Sequence, residues 1–278
     1  MDRILITGSS GFIGSQLVKR LEGSKVITDS DSGLRVDLQN REDVLKFDSA
    51  DILIHLGGKT PQEELGWSEY FDNNVVGTLN VLEYCLQKKV KKMIYVSSYV
   101  YGTPTYCPID ENHPVNPHNA YTESKYLGER LCEFYCKRTD MSLMILRPFN
   151  IYGKSMRGGF LIANLINSAR TGEKATIINK NSKRDFLHVD DFVELILKIK
   201  DHDFKCEIFN VGSGTSYSFE EILKKLERIT AKKIPVDYKE DKETFIEEIT
   251  ADISKIRDKI RWQPRLTIDD GLRKTVES

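Results

Sequence analysis

The segment from Asn119 to Lys125, Asn-Ala-Tyr-Thr-Glu-Ser-Lys, contains a tyrosine and a lysine four residues apart at the start of a predicted helix. Residues four apart on a helix share one face, so the two side chains would lie close together. An unperturbed tyrosine has a pKa near ~10, and a neighbouring ammonium favours the phenolate and lowers that pKa. Tyr121 with Lys125 is therefore a candidate acid/base pair, although so short a pattern also occurs on ordinary solvated helix faces.

A glycine-rich turn near the N-terminus lies between a predicted strand and a predicted helix. The apolar run from Arg3 to Thr7 suits a buried parallel strand, and Gly-Ser-Ser-Gly-Phe-Ile-Gly follows it directly. In a dinucleotide fingerprint, Gly8 would permit the tight turn, Gly11 would let the backbone approach a pyrophosphate, and Gly14 would let the helix pack on the strand. This context favours a dinucleotide site over an ordinary glycine-rich turn.

An acidic residue ends the second predicted strand, Lys25 to Asp29. It follows the first glycine by about 20 residues, where a carboxylate bonds the adenosine ribose hydroxyls and repels a 2′-phosphate. Asp29 therefore favours NAD over NADP. A second acid, Asp31, leaves the register open by two residues, and either side chain could instead belong to a solvated loop.

Three more apolar runs predict strands at residues 34–38, 51–58 and 92–98. Gly57 and Gly58 close the second of these, and glycines at the carboxyl end of a parallel strand let a ligand approach the backbone. His55, just before them, is expected to be a packed strand residue rather than a ligand. Ser97 closes the third run at the same sheet edge as Tyr121, where it could hold a substrate oxygen or simply cap the strand.

Composition narrows the class of protein. The 278 residues allow one large or two modest domains, and a formal net charge of −1 gives no argument for a nucleic acid or an acidic membrane partner. No apolar run reaches the ~20 residues that span a bilayer. Five cysteines without a Cys-x-x-Cys pair predict reduced thiols and no metal site. With no signal-peptide pattern, we expect a cytoplasmic protein.

The order of these motifs resembles the extended short-chain dehydrogenase/reductase superfamily, in particular its NAD-dependent nucleotide-sugar epimerase/dehydratase family. The matching segments are TGSSGFIG at 7–14, HLGG at 55–58, NVVGTLNVLE at 74–83, YVSSYVYG at 95–102, YTESK at 121–125, LRPFNIYG at 146–153, RDFLHVDD at 184–191, IFNVGSG at 208–214 and DISK at 252–255. So many ordered matches cover essentially the whole chain, and they predict that Tyr121 and Lys125 are catalytic.

The resemblance implies NAD as cofactor and assigns residues to it. Lys125 would bond the nicotinamide ribose, Asp29 would hold the adenosine ribose, and Asn74 would support the structure around the serine strand. The remaining cofactor contacts would be Gly8, Gly11, Phe12 and Ile13 at the pyrophosphate, Asp37 and Leu38 at the adenine, and Leu56, Gly57 and Gly58 along the central part of NAD.

The resemblance also implies a nucleotide-diphosphate sugar as substrate. Ser97 matches the family's catalytic Ser/Thr. Asn150 and Arg184 match residues that hold the diphosphate, a role that suits a guanidinium because it pairs with phosphate oxygens bidentately.

Departures from the family pattern concern the substrate. Ser98 and Tyr99, expected to contact the substrate, stand where the dehydratases carry an Asp-Glu pair, so a sugar 4,6-dehydratase is disfavoured. Lys242 stands where a second phosphate-binding arginine is expected, and Asn-Lys-Asn at 179–181 replaces the usual Gly-Asp-Gly. The C-terminal half is also short, which leaves the sugar and the base open.

We expect an α/β fold, with a Rossmann-type doubly wound parallel sheet and a smaller, partly helical C-terminal substrate lobe. The NAD-binding domain would span residues 1–153 with returns at about 186–212, and the lobe would span 154–185 and 213–278. A homodimer would form through the helices at about 74–87 and 119–138, unless their apolar residues are wholly internal. The first of these helices would carry Val75, Leu79, Leu82 and Leu86 on one face. In the lobe, residues 219–229 predict an amphipathic helix with Ile222, Leu223 and Leu226 on its apolar face.

The leading functional hypothesis is C4 epimerisation of a nucleotide sugar through a transient 4-keto sugar, with Tyr121 as acid/base. The alternative is an NAD(P)H-dependent reductase of nucleotide-4-keto-6-deoxy sugars that uses the same residues. A non-catalytic NAD sensor is disfavoured because Ser97, Tyr121 and Lys125 are all present.

Overall fold

The computed structural model describes residues 2–21, 25–28, 36–61, 65–243 and 245–277. The chain forms two compact units. The first comprises Met1–Gly102, Pro114–Pro148 and Val193–Phe209, and the second comprises Thr103–His113, Phe149–Phe192 and Asn210–Ser278.

The secondary structure alternates strands and helices over most of the chain. The strands of the described residues are β1 Arg3–Thr7, β2 Lys25–Thr28, β3 Ile52–His55, β4 Lys92–Val96, β5 Ser142–Pro148, β6 Asn150–Tyr152, β7 Ala175–Ile178, β8 Lys183–His188, β9 Cys206–Val211, β10 Ser216–Ser218, β11 Val236–Lys239 and β12 Glu248–Ile249. The helices are α1 Phe12–Arg20, α2 Arg41–Leu45, α3 Trp67–Tyr70, α4 Gly77–Lys88, α5 Ala120–Cys136, α6 Leu161–Thr171, α7 Val189–Ile199, α8 Phe219–Thr230, α9 Ser254–Ile260 and α10 Ile268–Glu277, with a π-helical turn, Phe71–Val76, between α3 and α4.

The first unit contains a sheet of order β2-β1-β3-β4-β5-β9. The four pairings among β1 to β5 are parallel. The order reverses at β1, because β2 lies on one side of it and β3 on the other, and the carboxyl ends of β1 and β3 meet with Thr7 opposite His55. In open α/β sheets this switch point is where ligands bind. The predicted Rossmann-type parallel sheet is confirmed.

The core of the first unit lies between the sheet and α4 and α5. β4 and β5 supply buried Met93, Leu143 and Ile145, which suits central parallel strands. Two fully buried tyrosines, Tyr84 and Tyr95, belong to the same cluster.

The second unit is organised around β8, which pairs in parallel with β6 and β12 and antiparallel with β10. The Asp185 carboxylate on β8 accepts hydrogen bonds from the backbone N–H groups of Ser213, Gly214 and Ala251, so it ties two loops to this strand. Strands β7 and β11 pair in parallel as a separate two-stranded sheet. Their apolar residues pack with those of α6 and α8 in one core. The segment that returns to the first unit begins at Val193, after the predicted residue 186.

The predicted strand at residues 34–38 is wrong in its described part, and Leu34 and Arg35 lie outside the described residues. Residues 36–38 lead into a turn in which Asn40 N–H donates to the Asp37 carbonyl at 3.0 Å. The Asp37 side chain also accepts from Gln39 N–H at 3.0 Å, a local bond that competes with strand pairing.

The predicted helix at residues 74–87 also needs correction. Its first turn is the π-helical turn, and Leu86, expected on the apolar face, is 53% exposed. The face that packs on the core instead carries Thr78, Val81 and Cys85.

Candidate active site

Glycines shape the switch point between β1 and β3. Gly8 has φ +73°, and a Cβ on it would lie 2.7 Å from Gly57 N, so no larger residue fits. A Cβ on Gly14 would collide with the Gly8 carbonyl, which explains how closely α1 approaches the turn. Gly11 precedes α1 without a side-chain cap, and the exposed start of this helix suits the phosphates of a dinucleotide.

Leu38, one of the two predicted adenine contacts, lies next to this turn. A Cβ on Gly57 would lie 2.5 Å from Leu38 Cδ1, so Leu38 packs directly on the glycine. Asn80 on α4 donates from its amide to the Leu38 carbonyl at 2.9 Å and fixes this segment, while Asp37 stays exposed. Phe12 and Ile13 are half-buried.

Asp29, the predicted ligand of the adenosine ribose, and the alternative Asp31 lie outside the described residues.

His55 links the two strands of the switch point to α4. Its Nδ1 lies 2.6 Å from Thr7 Oγ1, and its Nε2 lies 3.1 Å from Thr78 Oγ1. Burial, with a smaller contribution from the nearby Lys125 charge, lowers the pKa of His55 to about 3. The residue is therefore a neutral, packed strand residue.

Asn74 lies on the π-helical turn and joins three segments. Its side-chain amide donates to Ser124 Oγ at 2.9 Å and to the Lys59 carbonyl at 3.1 Å, and its oxygen accepts from Lys59 N–H at 2.8 Å. A Cβ on Gly58 would lie 2.6 Å from Asn74 Oδ1. The turn thus connects the glycines after β3 to the residue before Lys125, and π-helical turns recur at functional sites.

The start of α5 fixes the position of Tyr121. The Asn119 side chain caps the helix by accepting from Thr122 N–H at 2.8 Å, so Tyr121 lies in the first turn and Lys125 in the next. Tyr121 is half-buried, and its ring meets Tyr70 edge-on at 6.0 Å.

Burial raises the pKa of the Tyr121 phenol, and the Ser98 side chain opposes that effect. The sequence predicted that Lys125 would lower this pKa. The net direction is upward, because the desolvation of the phenolate outweighs its stabilisation by Ser98.

Lys125 is buried, with 6% of its surface exposed. Its Nζ lies 4.6 Å from the centre of the Tyr95 ring on β4. Burial lowers the pKa of Lys125 to about 8, against a smaller stabilisation of the ammonium by Cys132 and Glu129.

Ser97 directly follows β4, and its backbone N–H donates to the Leu146 carbonyl at 2.8 Å. Its hydroxyl is buried without a hydrogen-bond partner in the described part of the chain. Such a group normally finds a partner, so a ligand oxygen would suit it. Tyr99 instead donates to the Gly102 carbonyl at 2.6 Å and packs edge-on against Tyr101.

A buried ion pair supports α5, and the sequence analysis did not assign it. Arg147 on β5 donates from Nε to both carboxylate oxygens of Glu129, at 3.0 and 3.2 Å, and from Nη1 to the Tyr101 hydroxyl at 2.8 Å. The signal was a charged residue, Arg147, inside an otherwise apolar strand. Breaking such a pair leaves a buried charge without its partner, so the pair fixes α5 on the sheet.

The three remaining predicted substrate contacts belong to the second unit. Asn150 is exposed and donates to the Asp185 carbonyl at 2.9 Å, and Lys242 is exposed. Arg184 donates from Nη1 to the Ile246 carbonyl at 3.0 Å, and its guanidinium lies 5.4 Å from the Phe219 ring centre.

The described residues contain neither a candidate metal site nor a candidate membrane-spanning helix. No group of three or more His, Cys, Asp or Glu side chains there could hold a metal ion. Likewise, no helix in that part of the chain is long and apolar enough to cross a membrane.

Comparison with known proteins identifies the class. A model of the NAD dependent epimerase/dehydratase family matches residues 4–212. The chain therefore belongs to this family, as its motifs predicted, and is an NAD-dependent enzyme.

Individual relatives resemble the chain over nearly its full length. A putative UDP-glucose 4-epimerase of Methanocaldococcus jannaschii is 28% identical, over 98% of this chain and 97% of that protein. The UDP-glucose 4-epimerase of Thermotoga maritima, solved with UDP-glucose, has a TM-score of 0.91 at 25% identity, over 99% and 97% of the two chains. RMD from Pseudomonas aeruginosa, solved with NADPH, has a TM-score of 0.91 at 26% identity, over 100% and 98%.

Proposed function

We propose that the chain is a nucleotide-sugar epimerase that inverts C4 of a hexose through a transient 4-keto sugar. The observation that carries this proposal is the Ser97 hydroxyl, which is buried without a hydrogen-bond partner among the described residues and is followed directly by Ser98, whose side chain lowers the pKa of the Tyr121 phenol. Two oxygen-bearing groups at one edge of the sheet could bind one sugar hydroxyl, Ser97 as hydrogen-bond partner and Tyr121 as proton acceptor.

The glycine turn supports NAD as the group held beside this pair. A Cβ on Gly8, Gly14 or Gly57 would lie within 3 Å of backbone or side-chain atoms. This turn therefore has no side chains at these positions, and a ligand there would contact the backbone directly. Gly11, Phe12 and Ile13 would line the pyrophosphate, and Lys125 would bond the nicotinamide ribose. When bound, NAD supplies a site that accepts a hydride from the sugar and returns it.

The chain's own residues would handle the proton. Tyr121 Oη would take the proton of the 4-hydroxyl and return it to the same oxygen once C4 has regained its hydrogen on the opposite face. Ser97 Oγ would hold the sugar oxygen throughout. The absence of an acid at Ser98 and Tyr99 supports epimerisation over loss of water, because a leaving hydroxyl needs a proton donor.

The second unit supplies the proposed contacts to a nucleotide diphosphate. Arg184 and Lys242 are the cations for its phosphates, and Asn150 adds an amide. The T. maritima relative is a UDP-glucose 4-epimerase solved with UDP-glucose, which favours a UDP-hexose as the first substrate to test.

The decisive experiment is a turnover assay with NAD and a panel of UDP-, GDP- and dTDP-hexoses, followed by ¹H NMR. We expect the C4 epimer of one sugar to accumulate to equilibrium with no net absorbance change near 340 nm, because the hydride is returned. Recovery of every sugar unchanged would contradict the proposal.

A reductase is the second candidate, favoured by the likeness to RMD in its NADPH complex. It would consume reduced cofactor in step with product when offered a nucleotide-4-keto-6-deoxy sugar.

Asp29 bears on the choice between NAD and NADP as cofactor. If it occupies the ribose pocket, NAD should bind better than NADP, and Asp29→Ser should narrow that preference about tenfold, as measured by fluorescence titration of both cofactors. Equal affinities for NAD and NADP in the parent protein would contradict the assignment of Asp29 to the ribose pocket.

A homodimer is the proposed assembly. Val76, Leu86 and Phe134 are 41%, 53% and 50% exposed, and they lie at or on the two helices expected to form the interface. Sedimentation velocity should give twice the monomer mass of 31.9 kDa, and Leu86→Glu with Phe134→Glu should give the monomer.

A further inference from the structure

Tyr95 is a fully buried tyrosine at the centre of the first unit's sheet, directly beneath the second turn of α5. Its hydroxyl donates to the Lys125 carbonyl at 3.3 Å. Its ring face lies 4.6 Å from Lys125 Nζ. One side chain therefore contacts both the backbone and the ammonium of Lys125.

The contact between α5 and Tyr95 depends on a glycine. A Cβ on Gly128, one turn after Lys125, would collide with the Tyr95 hydroxyl. Because Gly128 has no side chain, the helix backbone can come down onto the ring and its hydroxyl. This close approach holds Lys125 at a fixed height above the sheet.

The Tyr95 ring is one of several groups around Lys125 that can stabilise its ammonium. On the same helix are Tyr121, Glu129 and Cys132; on β3 is the neutral His55; and the Glu129 carboxylate is bound by Arg147 of β5. Within the described residues, Lys125 Nζ makes no hydrogen bond. An aromatic face attracts a desolvated ammonium, and the attraction grows as water is excluded.

We propose that Tyr95 is a positioning residue for Lys125: its ring face stabilises the ammonium, and its hydroxyl fixes the turn of α5 that carries it. The functional meaning rests on the role proposed above for Lys125, but the contact itself does not. Burial drives Lys125 towards its neutral form, and the ring face opposes that effect by stabilising the ammonium.

The test is the pKa of Lys125, measured by NMR titration of protein labelled with ¹³C at lysine Cε, without cofactor or substrate. The Lys125 signal is identified by its loss in Lys125→Arg. In Tyr95→Leu the ring no longer stabilises the ammonium, so the pKa should fall by about 0.5–1.5 units. In Tyr95→Phe the ring remains, and the pKa should stay near the parent value.

Tyr84 provides a matched control. It is also fully buried in the same core cluster, and its hydroxyl donates to the Asp48 carbonyl at 2.6 Å. Tyr84→Leu should lower the melting temperature comparably to Tyr95→Leu but leave the pKa of Lys125 unchanged. If Tyr95→Leu does not fold, Tyr95→Met, whose flexible chain fills more of the space, takes its place.

An unchanged or raised pKa of Lys125 in the Leu or Met variant would overturn the proposal, as would an equal fall in Tyr84→Leu. A protein that turns over no nucleotide sugar but shows the predicted fall would refute the proposed function and leave the positioning role intact. In an active enzyme, Tyr95→Leu should also move the alkaline limb of the pH–rate profile downward, whereas Tyr84→Leu should not.

Discussion

The candidate residues of the two units differ in how they are held. In the first unit, Lys125 and Asn74 are buried, and side-chain contacts with Tyr95 and Ser124 fix them. In the second unit, Asn150 and Lys242 are exposed, and the Asn150 amide donates to the backbone carbonyl of Asp185.

This difference separates the parts of the site that can vary from those that cannot. A buried, cross-connected side chain can be changed only by repacking its neighbours, so the chemistry of the first unit is fixed. An exposed side chain on a backbone contact can be exchanged at small cost in stability. We therefore expect substitutions in the first unit to alter turnover and those in the second unit to alter substrate binding.

The largest effect is expected from Tyr121→Phe, which keeps the ring and removes the proton. Turnover of the epimerised sugar should fall roughly 10²–10⁴-fold, the usual contribution of a positioned proton carrier. Melting temperature and NAD affinity should stay near parent values. Tyr126→Phe on the same helix is the control and should turn over normally. Near-parent turnover in Tyr121→Phe would end the proposed mechanism.

Arg184→Ala, in the second unit, should weaken substrate binding rather than NAD binding. Loss of one partner of a charge-assisted contact typically costs about 2–5 kcal/mol, so affinity for the nucleotide sugar should fall strongly while NAD affinity is retained. Isothermal titration of both ligands measures the split. Arg170→Ala on α6, which removes another arginine bonded to a carbonyl, should change neither affinity. An equal loss of NAD binding in Arg184→Ala would make Arg184 structural.

Ser98→Ala should change the pH dependence of the first unit without changing its fold. The Ser98 side chain lowers the pKa of the Tyr121 phenol, so its removal should raise that pKa. Since the phenolate is the active form, the rising limb of the pH–rate profile should move to higher pH. If the rising limb stays at the same pH, it reports the titration of a group other than Tyr121.

Lys242→Ala is expected to have the smallest effect. The side chain is exposed, and an exposed ion pair contributes about 0–1 kcal/mol, so substrate affinity should fall at most about fivefold. Lys242→Arg should restore or exceed parent affinity, because the guanidinium can bind a phosphate through two hydrogen bonds. A loss as large as that of Arg184→Ala would contradict the contrast between the two units.

Local spacing predicted part of the candidate site. The helix that begins after Asn119 has Tyr121 in its first turn, and the amphipathic helix predicted near Phe219 is α8, with Ile222 and Leu226 buried. Both features depend on neighbours in sequence, where the helical period and a capping residue are visible.

The contacts that sequence reasoning missed are non-local or polar. Tyr95 reaches Lys125 across 30 positions, and no pattern within β4 reveals which ring faces the lysine. The buried face of α4 was mispredicted because it includes Thr78 and Asn80, whose hydrogen bonds to His55 and Leu38 make burial acceptable. A count of apolar residues alone therefore selected Leu86, which is exposed.

The π-helical turn makes chain length itself a determinant of the site. A turn of this kind holds one residue more than an α-helical turn, and each residue of an α-helix advances the face by about 100°. Deleting Val75 would relax the turn and rotate Asn74 away from Ser124, while α4 stayed on the core. Deleting Asp72 would leave Asn74 in register with α4 and rotate Tyr70 away from Tyr121. An insertion or deletion of one residue here would thus uncouple the helix from one half of the site, with every catalytic side chain still in the sequence.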